Sequence, residues 1–86
     1  MKGRRVFPDE NGKLRFAEGD YGVDPADGGW KGRPPDQHLG DFGRHEVVEH
    51  EDETITVSPS ILITGYEGDC KIEWHGYLEC GIWREV

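Results

Sequence analysis

From Thr54 to Val86 the chain reads TITVSPSILITGYEGDCKIEWHGYLECGIWREV. β-branched and aromatic residues concentrate here, broken only by short turn clusters, and that is the composition of strands. The clearest local signal is the end of the chain. Lys71 to Leu78 reads as a strand, Glu79-Cys80-Gly81 as a tight loop, and Ile82 to Val86 as the returning strand. A three-residue hairpin loop needs a left-handed residue in its last position, and Gly81 supplies it. That loop sets Leu78 opposite Ile82 and Tyr77 opposite Trp83. Side chains alternate across a strand. Ile72, Trp74, Leu78, Ile82 and Val86 are therefore expected on the core face. Lys71, Glu73, His75, Tyr77, Trp83 and Glu85 are expected on the other. A Tyr77–Trp83 cross-strand pair contributes roughly 0.2–1 kcal/mol to a hairpin. It reads first as sheet support and second as an exposed aromatic patch for binding.

Upstream, Ile61 to Thr64 is a short apolar run and Tyr66-Glu67-Gly68-Asp69 is a turn cluster leading into Cys70. Thr54 to Val57 is a further β-prone run, ended by Ser58-Pro59-Ser60. Proline cannot donate to a ladder and pushes the residue before it toward extended geometry, so Pro59 is expected at a bend between two strands. The whole stretch predicts a meander of four short strands. The patterns T-I-T-V-S-P-S-I and W-H-G-Y-L-x-x-G-x-W, read at Thr54–Ile61 and Trp74–Trp83, resemble those of a group of small uncharacterised bacterial and phage proteins. Longer members carry an upstream C-x-C-G run that looks metal-binding, and this chain lacks it. The resemblance covers roughly the last half of the chain. It implies a β-rich fold and a bacterial or phage origin, and it implies no catalytic residue.

Taken from the start, Arg4 to Phe7 and Lys13 to Phe16 are β-prone runs with Asn11-Gly12 between them. That pattern predicts an N-terminal hairpin over residues 1–18. Residues 19–44 differ. Seven glycines and three prolines leave no helical or strand period, so an irregular Gly/Pro-rich loop is expected, anchored on the sheet by Tyr21, Trp30 and Phe42. His45 to Glu49 reads as a strand, with His50 to Glu53 as a four-residue turn into Thr54; Val48 and Ile55 then lie on the buried side. The fold class expected is mainly β: one domain over residues 1–86, with an N-terminal hairpin, the long loop, and an antiparallel sheet over 45–86.

At 86 residues the core is modest. The formal net charge of −8 and the mean hydropathy of −0.78 sit near the border with disorder, and the nine aromatic residues argue that the chain folds. So acidic a surface repels phosphates and anionic lipid, which disfavours direct nucleic-acid binding and membrane attachment and favours a protein partner with a basic surface. No apolar run approaches the roughly 18–20 residues that span a bilayer, and no apolar segment follows the basic Met1–Arg5. The compartment expected is the cytoplasm.

The residues offer candidates for metal binding and for catalysis, and spacing or setting argues against each. Cys70-x4-His75-x4-Cys80 has a superficial zinc-ligand spacing. On one strand, however, Cys70 and His75 face opposite sides about 16 Å apart, and zinc ligands must converge within about 2.3 Å of one point. The same strand separates the cysteines far beyond the roughly 7 Å that a disulfide spans, so two free thiols are expected. Asp20, Asp24, Asp27, Asp36 and Asp41 offer oxygen ligands without EF-hand spacing, and aspartate is common in turns for its own reasons. His50 among Glu49, Glu51, Asp52 and Glu53 lacks the pocket that acid–base catalysis needs. Ser58 and Ser60 show no nucleophile-elbow pattern, and an exposed Cys80 has the negative Glu79 beside it.

There remains the acidic run itself. Glu46, Glu49, Glu51, Asp52 and Glu53 lie on one predicted hairpin. They read either as a solvated edge that blocks aggregation or as a surface imitating nucleic-acid phosphates. The leading expectation is a non-enzymatic interaction protein without a cofactor. It binds a protein partner through this hairpin, through Trp30 in the loop, or through the Tyr77–Trp83 face. A phage inhibitor of a host nucleic-acid-binding defence complex is the specific form. The alternative is a small zinc-stabilised module.

Overall fold

The computed structural model describes all 86 residues. It contains strands and no helix, and it forms two four-stranded sheets. The first holds β1 (Arg4–Arg5), β2 (Asp20–Val23), β3 (Trp30–Gly32) and β4 (Gly40–Asp41) in that spatial order. The second is an antiparallel meander of β5 (Glu46–Glu49), β6 (Ile55–Glu67), β7 (Cys70–Glu79) and β8 (Ile82–Glu85). The mainly β class and the C-terminal meander are as the sequence predicts.

One apolar cluster fills the space between the sheets. Ile55, Val57, Ile61, Ile63, Trp74, Leu78 and Trp83 come from the meander, Tyr21 from β2, and Phe42 from just beyond β4. Inward residues on β6 and β7 alternate with exposed ones, as a sheet with one wet face requires. Trp83 stands at the centre. Its ring meets Trp74 edge-on, with centroids 5.7 Å apart, and tilts against Phe42 at 6.4 Å. Its indole Nε1–H donates to the Gly19 carbonyl at 2.9 Å, so the one polar atom of the ring is satisfied inside the core.

The burial of Trp83 corrects the expected register. β8 pairs Glu79 with Ile82, Leu78 with Trp83 and Tyr77 with Arg84, so the loop is the two residues Cys80-Gly81. Trp83 is 2% exposed, while Ile82 and Val86, expected inside, are 48% and 73% exposed. Both loop residues have positive φ, 48° at Cys80 and 76° at Gly81, the geometry of a type I′ turn. A left-handed non-glycine residue costs roughly 1–2 kcal/mol. Burying an indole in place of an isoleucine side chain gains about 2 kcal/mol at ~25 cal/mol per Å², and the Trp74 edge contact adds about 0.5–1.5 kcal/mol. The larger gain decides the register.

The β5–β6 hairpin slips in the same sense. Glu49 pairs with Ile55 and Val48 with Thr56, and the His50 amide donates to the Thr54 carbonyl at 2.8 Å. The loop is Glu51-Asp52-Glu53, with Glu53 at φ 71°. Val47 therefore packs against the core, and Val48, expected inside, is 46% exposed. The bend expected at Pro59 is a bulge within a single strand. β6 runs through it, and pairing jumps from Val57–Leu78 to Ile61–Gly76 because Pro59 has no N–H to offer.

The N-terminal hairpin is replaced by something else. Asp9 does organise a turn, its carboxylate accepting the Asn11 and Lys13 amides at 2.9 Å each. The two arms do not pair. Arg4–Arg5 instead runs parallel to Asp20–Tyr21, with the Arg4 and Val6 amides donating to the Gly19 and Tyr21 carbonyls. Lys2 pairs with Ile82 of β8, and the Gly3 amide donates to the Gly81 carbonyl. One extended segment thus bonds a different sheet on each side. Two ladder edges compete better for it than a single local arm.

Residues 19–44 are likewise more regular than expected, since they contribute β2, β3 and β4. Buried Tyr21 and Phe42 anchor them, and Lys31 reaches both Asp24 and Asp27 at 2.8 Å. That contact lowers both carboxyl pKa values and raises that of the lysine, chiefly by direct hydrogen bonding.

Two substitutions test this packing. A Cβ on Gly76 falls on the Arg84 carbonyl oxygen and 2.5 Å from the Trp74 ring. Gly76→Ala is expected to lower stability by about 1–3 kcal/mol in urea unfolding, as overpacking does. Glu53→Gly relieves the left-handed glutamate and is expected to raise stability by about 0.5–1 kcal/mol, net of the added chain entropy.

Candidate functional site

β5 is the outer strand of the meander, bonded only to β6. An edge strand presents unpaired backbone groups, and charge along it discourages pairing with another chain. Here the five acidic residues expected to act together divide into two kinds.

Glu49 and Asp52 are occupied. Glu49 Oε2 accepts from Arg5 Nη1 at 2.7 Å. The same Arg5 nitrogen donates to the Glu53 carbonyl at 3.0 Å, and the guanidinium lies 4.6 Å from the Phe7 centroid and 4.7 Å from that of Trp30. A cation stacked on two rings and paired to a carboxylate is well suited to a largely buried place. Trp30, expected to be available for binding, is half-buried with Arg5 stacked on its ring. Asp52 shapes its own turn, accepting the Thr54 amide at 3.1 Å and the Thr54 hydroxyl at 2.6 Å. Those bonds, the hydroxyl first, pull its carboxyl pKa below the ordinary value.

Glu46, Glu51 and Glu53 are exposed, and none is in a salt bridge. With Asp52, which stays ionised in its turn, they form the unneutralised negative charge of the hairpin. Beside them lies the outer face of the meander, with Val48, Tyr77 and Ile82 partly exposed. A concavity of about 240 Å³ opens at the bulge, lined by Thr56, Val57, Ser58, Pro59, Tyr77 and Glu79. Tyr77 is on the outer face as expected, but its cross-strand neighbour is Arg84, whose guanidinium sits 5.8 Å from the ring. Trp83 belongs to the core, so the expected Tyr77–Trp83 binding face does not form.

Other candidate ligands are dispersed. Cys70 and Cys80 are free, exposed and at opposite ends of β7. No group of three or more His, Cys, Asp or Glu side chains converges on a common point. Three aspartates of residues 19–44 close turns: Asp24 accepts the Ala26 amide, Asp27 that of Gly29, and Asp41 that of Gly43. Asp20 is buried and takes the Ala17 amide and the Arg4 guanidinium. Sequence reasoning missed Arg5, which neutralises Glu49 from 44 positions away, and no local pattern announces such a pair.

Comparison with protein-family models, with curated proteins and with solved structures returns no match.

The Asp52 turn sets the acid response of the hairpin. Its folded pKa is depressed, so its contribution is present above the unfolded carboxyl pKa and is lost as pH falls through the folded one. An NMR titration is expected to place the Asp52 midpoint below that of an ordinary aspartate, and Thr54→Ala is expected to move it back up.

Proposed function

We propose that this chain is a non-enzymatic interaction protein that binds a basic protein surface through its β5–β6 edge. The observation that carries the reading is the set of unpaired, exposed carboxylates Glu46, Glu51 and Glu53 on an edge hairpin, in a chain of formal net charge −8. Unpaired surface carboxylates contribute little to a fold and much to the field around it. They speed encounter with a partner of opposite charge and repel partners of like charge. The partly exposed Val48 and Tyr77 beside them supply apolar area that a contact of pure charge lacks.

A protein whose basic groove ordinarily holds nucleic acid has the matching chemistry. In its specific form, the reading is of a bacterial or phage inhibitor that occupies such a groove in a defence complex.

The test is affinity capture from bacterial lysate at low and high salt, with mass spectrometry of the retained proteins. The baits are the wild-type chain and a variant carrying Glu46→Lys, Glu51→Lys and Glu53→Lys. A basic protein held by the wild type at low salt, released at high salt and absent from the variant is the expected result. Identical retention by both baits would remove the acidic edge from the interaction.

A further inference from the structure

The tips of the two hairpins meet, and the meeting brings a thiol, an imidazole and a hydroxyl together from three elements. Cys80 lies in the β7–β8 turn, His50 just beyond β5, and Thr56 in β6. Thr56 Oγ1 accepts the Cys80 amide at 3.0 Å, lies 2.7 Å from His50 Nε2, and is 3.8 Å from Cys80 Sγ. The sulfur is also 3.9 Å from His50 Nε2 directly.

Hydrogen accounting within this cluster accommodates the thiol and the thiolate alike. A hydroxyl carries one proton and two lone pairs, and the Cys80 amide takes one of those pairs. If Nε2 is bare, the hydroxyl donates to it, and its second lone pair is left for the thiol S–H. If Nε2 carries a proton, it donates to the second lone pair, and the hydroxyl proton is left for the sulfur. The second arrangement serves an ionised sulfur, which only accepts. Each of the three groups has a partner before and after transfer, so the thiol proton has a path through Thr56 to His50 that strands none of them. Glu79, the acidic neighbour of Cys80, is ion-paired with Arg84.

We propose that Cys80 is a modification site for low-molecular-weight disulfides, with His50 and Thr56 holding its proton. The Cys80 sulfur, as thiolate, attacks one sulfur of the disulfide. The Sγ–S bond forms, the S–S bond of the reagent breaks, and the departing thiolate takes the proton held on His50. One protein thiol and one disulfide become one mixed disulfide and one free thiol, so atoms and electrons balance. Thiolates, not thiols, carry out this attack, which is why the placement of the proton matters. The site is independent of the proposed partner binding, although the group added there sits at the tip of the acidic hairpin.

Cys70 provides the reference within the same molecule. It is exposed and free, and its thiol makes no hydrogen bond to His, Thr or any other side chain. The folded protein is exposed to glutathione disulfide, quenched in acid at intervals, digested, and the occupancy of each cysteine is read by mass spectrometry. Cys80 is expected to react about tenfold faster than Cys70. His50→Ala and Thr56→Val are expected to bring the two rates within about twofold, while Thr56→Ser retains the difference. Tryptophan fluorescence checks that each variant is folded. If a removal variant unfolds, the wild-type ratio and the Thr56→Ser ratio decide the matter. Equal rates at the two cysteines in the wild type overturn the proposal, and so does a folded His50→Ala variant that keeps the full difference.

Discussion

The burial of Trp83 organises this molecule. Its ring packs against two of the three other core aromatics, Trp74 and Phe42, and its indole nitrogen reaches across to the Gly19 carbonyl beside β2. The meander and the first sheet are therefore joined through one side chain. The backbone repeats the connection, since the Trp83 amide donates to the Met1 carbonyl and the terminal ammonium donates to the Trp83 carbonyl. Room for the ring is made by residues that have no Cβ. A side chain on Gly3 would come 2.8 Å from the indole nitrogen, and one on Gly32 would come 3.0 Å from the ring. Gly32, one of the glycines that argued for irregular structure, thus serves this packing.

A second, smaller centre is the guanidinium of Arg5. It lies against Phe7 and Trp30 while binding Glu49 and the Glu53 carbonyl. It fastens the acidic hairpin to the N-terminal segment and cancels part of its charge. Without this contact the hairpin would hold five acidic residues close together with no cation from elsewhere in the fold. With it, the charge left over is carried by Glu46, Glu51, Asp52 and Glu53, all of them exposed. Stability and display are thus assigned to different carboxylates of the same element.

Both proposals concern this corner of the fold. The edge of β5 offers negative charge, and the neighbouring turn offers a thiol within reach of His50. They rest on different physics, one on long-range fields and the other on proton placement over a few ångströms. They can stand or fall separately.

The sequence by itself determined the class of fold. Alternating apolar residues, frequent turn formers and the absence of any long 3.6-residue period leave strands as the only regular structure. It also located the meander and the separation of the two cysteines along one strand, and the turn at Asn11-Gly12 is present even though its arms part. The acidic hairpin was legible as composition. Its division into bound and free carboxylates was not, because Arg5 comes from the far end of the chain. Registers were decided by tertiary structure alone. Local turn rules put glycine at positive φ and keep other residues out, so they cannot foresee Cys80 and Glu53 in that conformation. Each of those residues shortens its loop by one and turns one strand of its hairpin over, β8 at Cys80 and β5 at Glu53. The driving force is the burial of Trp83 and Val47 against a core whose other half comes from distant parts of the chain. The same holds for the N-terminal segment. Its choice between a nearby arm and two distant strand edges depends on edges that exist only once both sheets have formed.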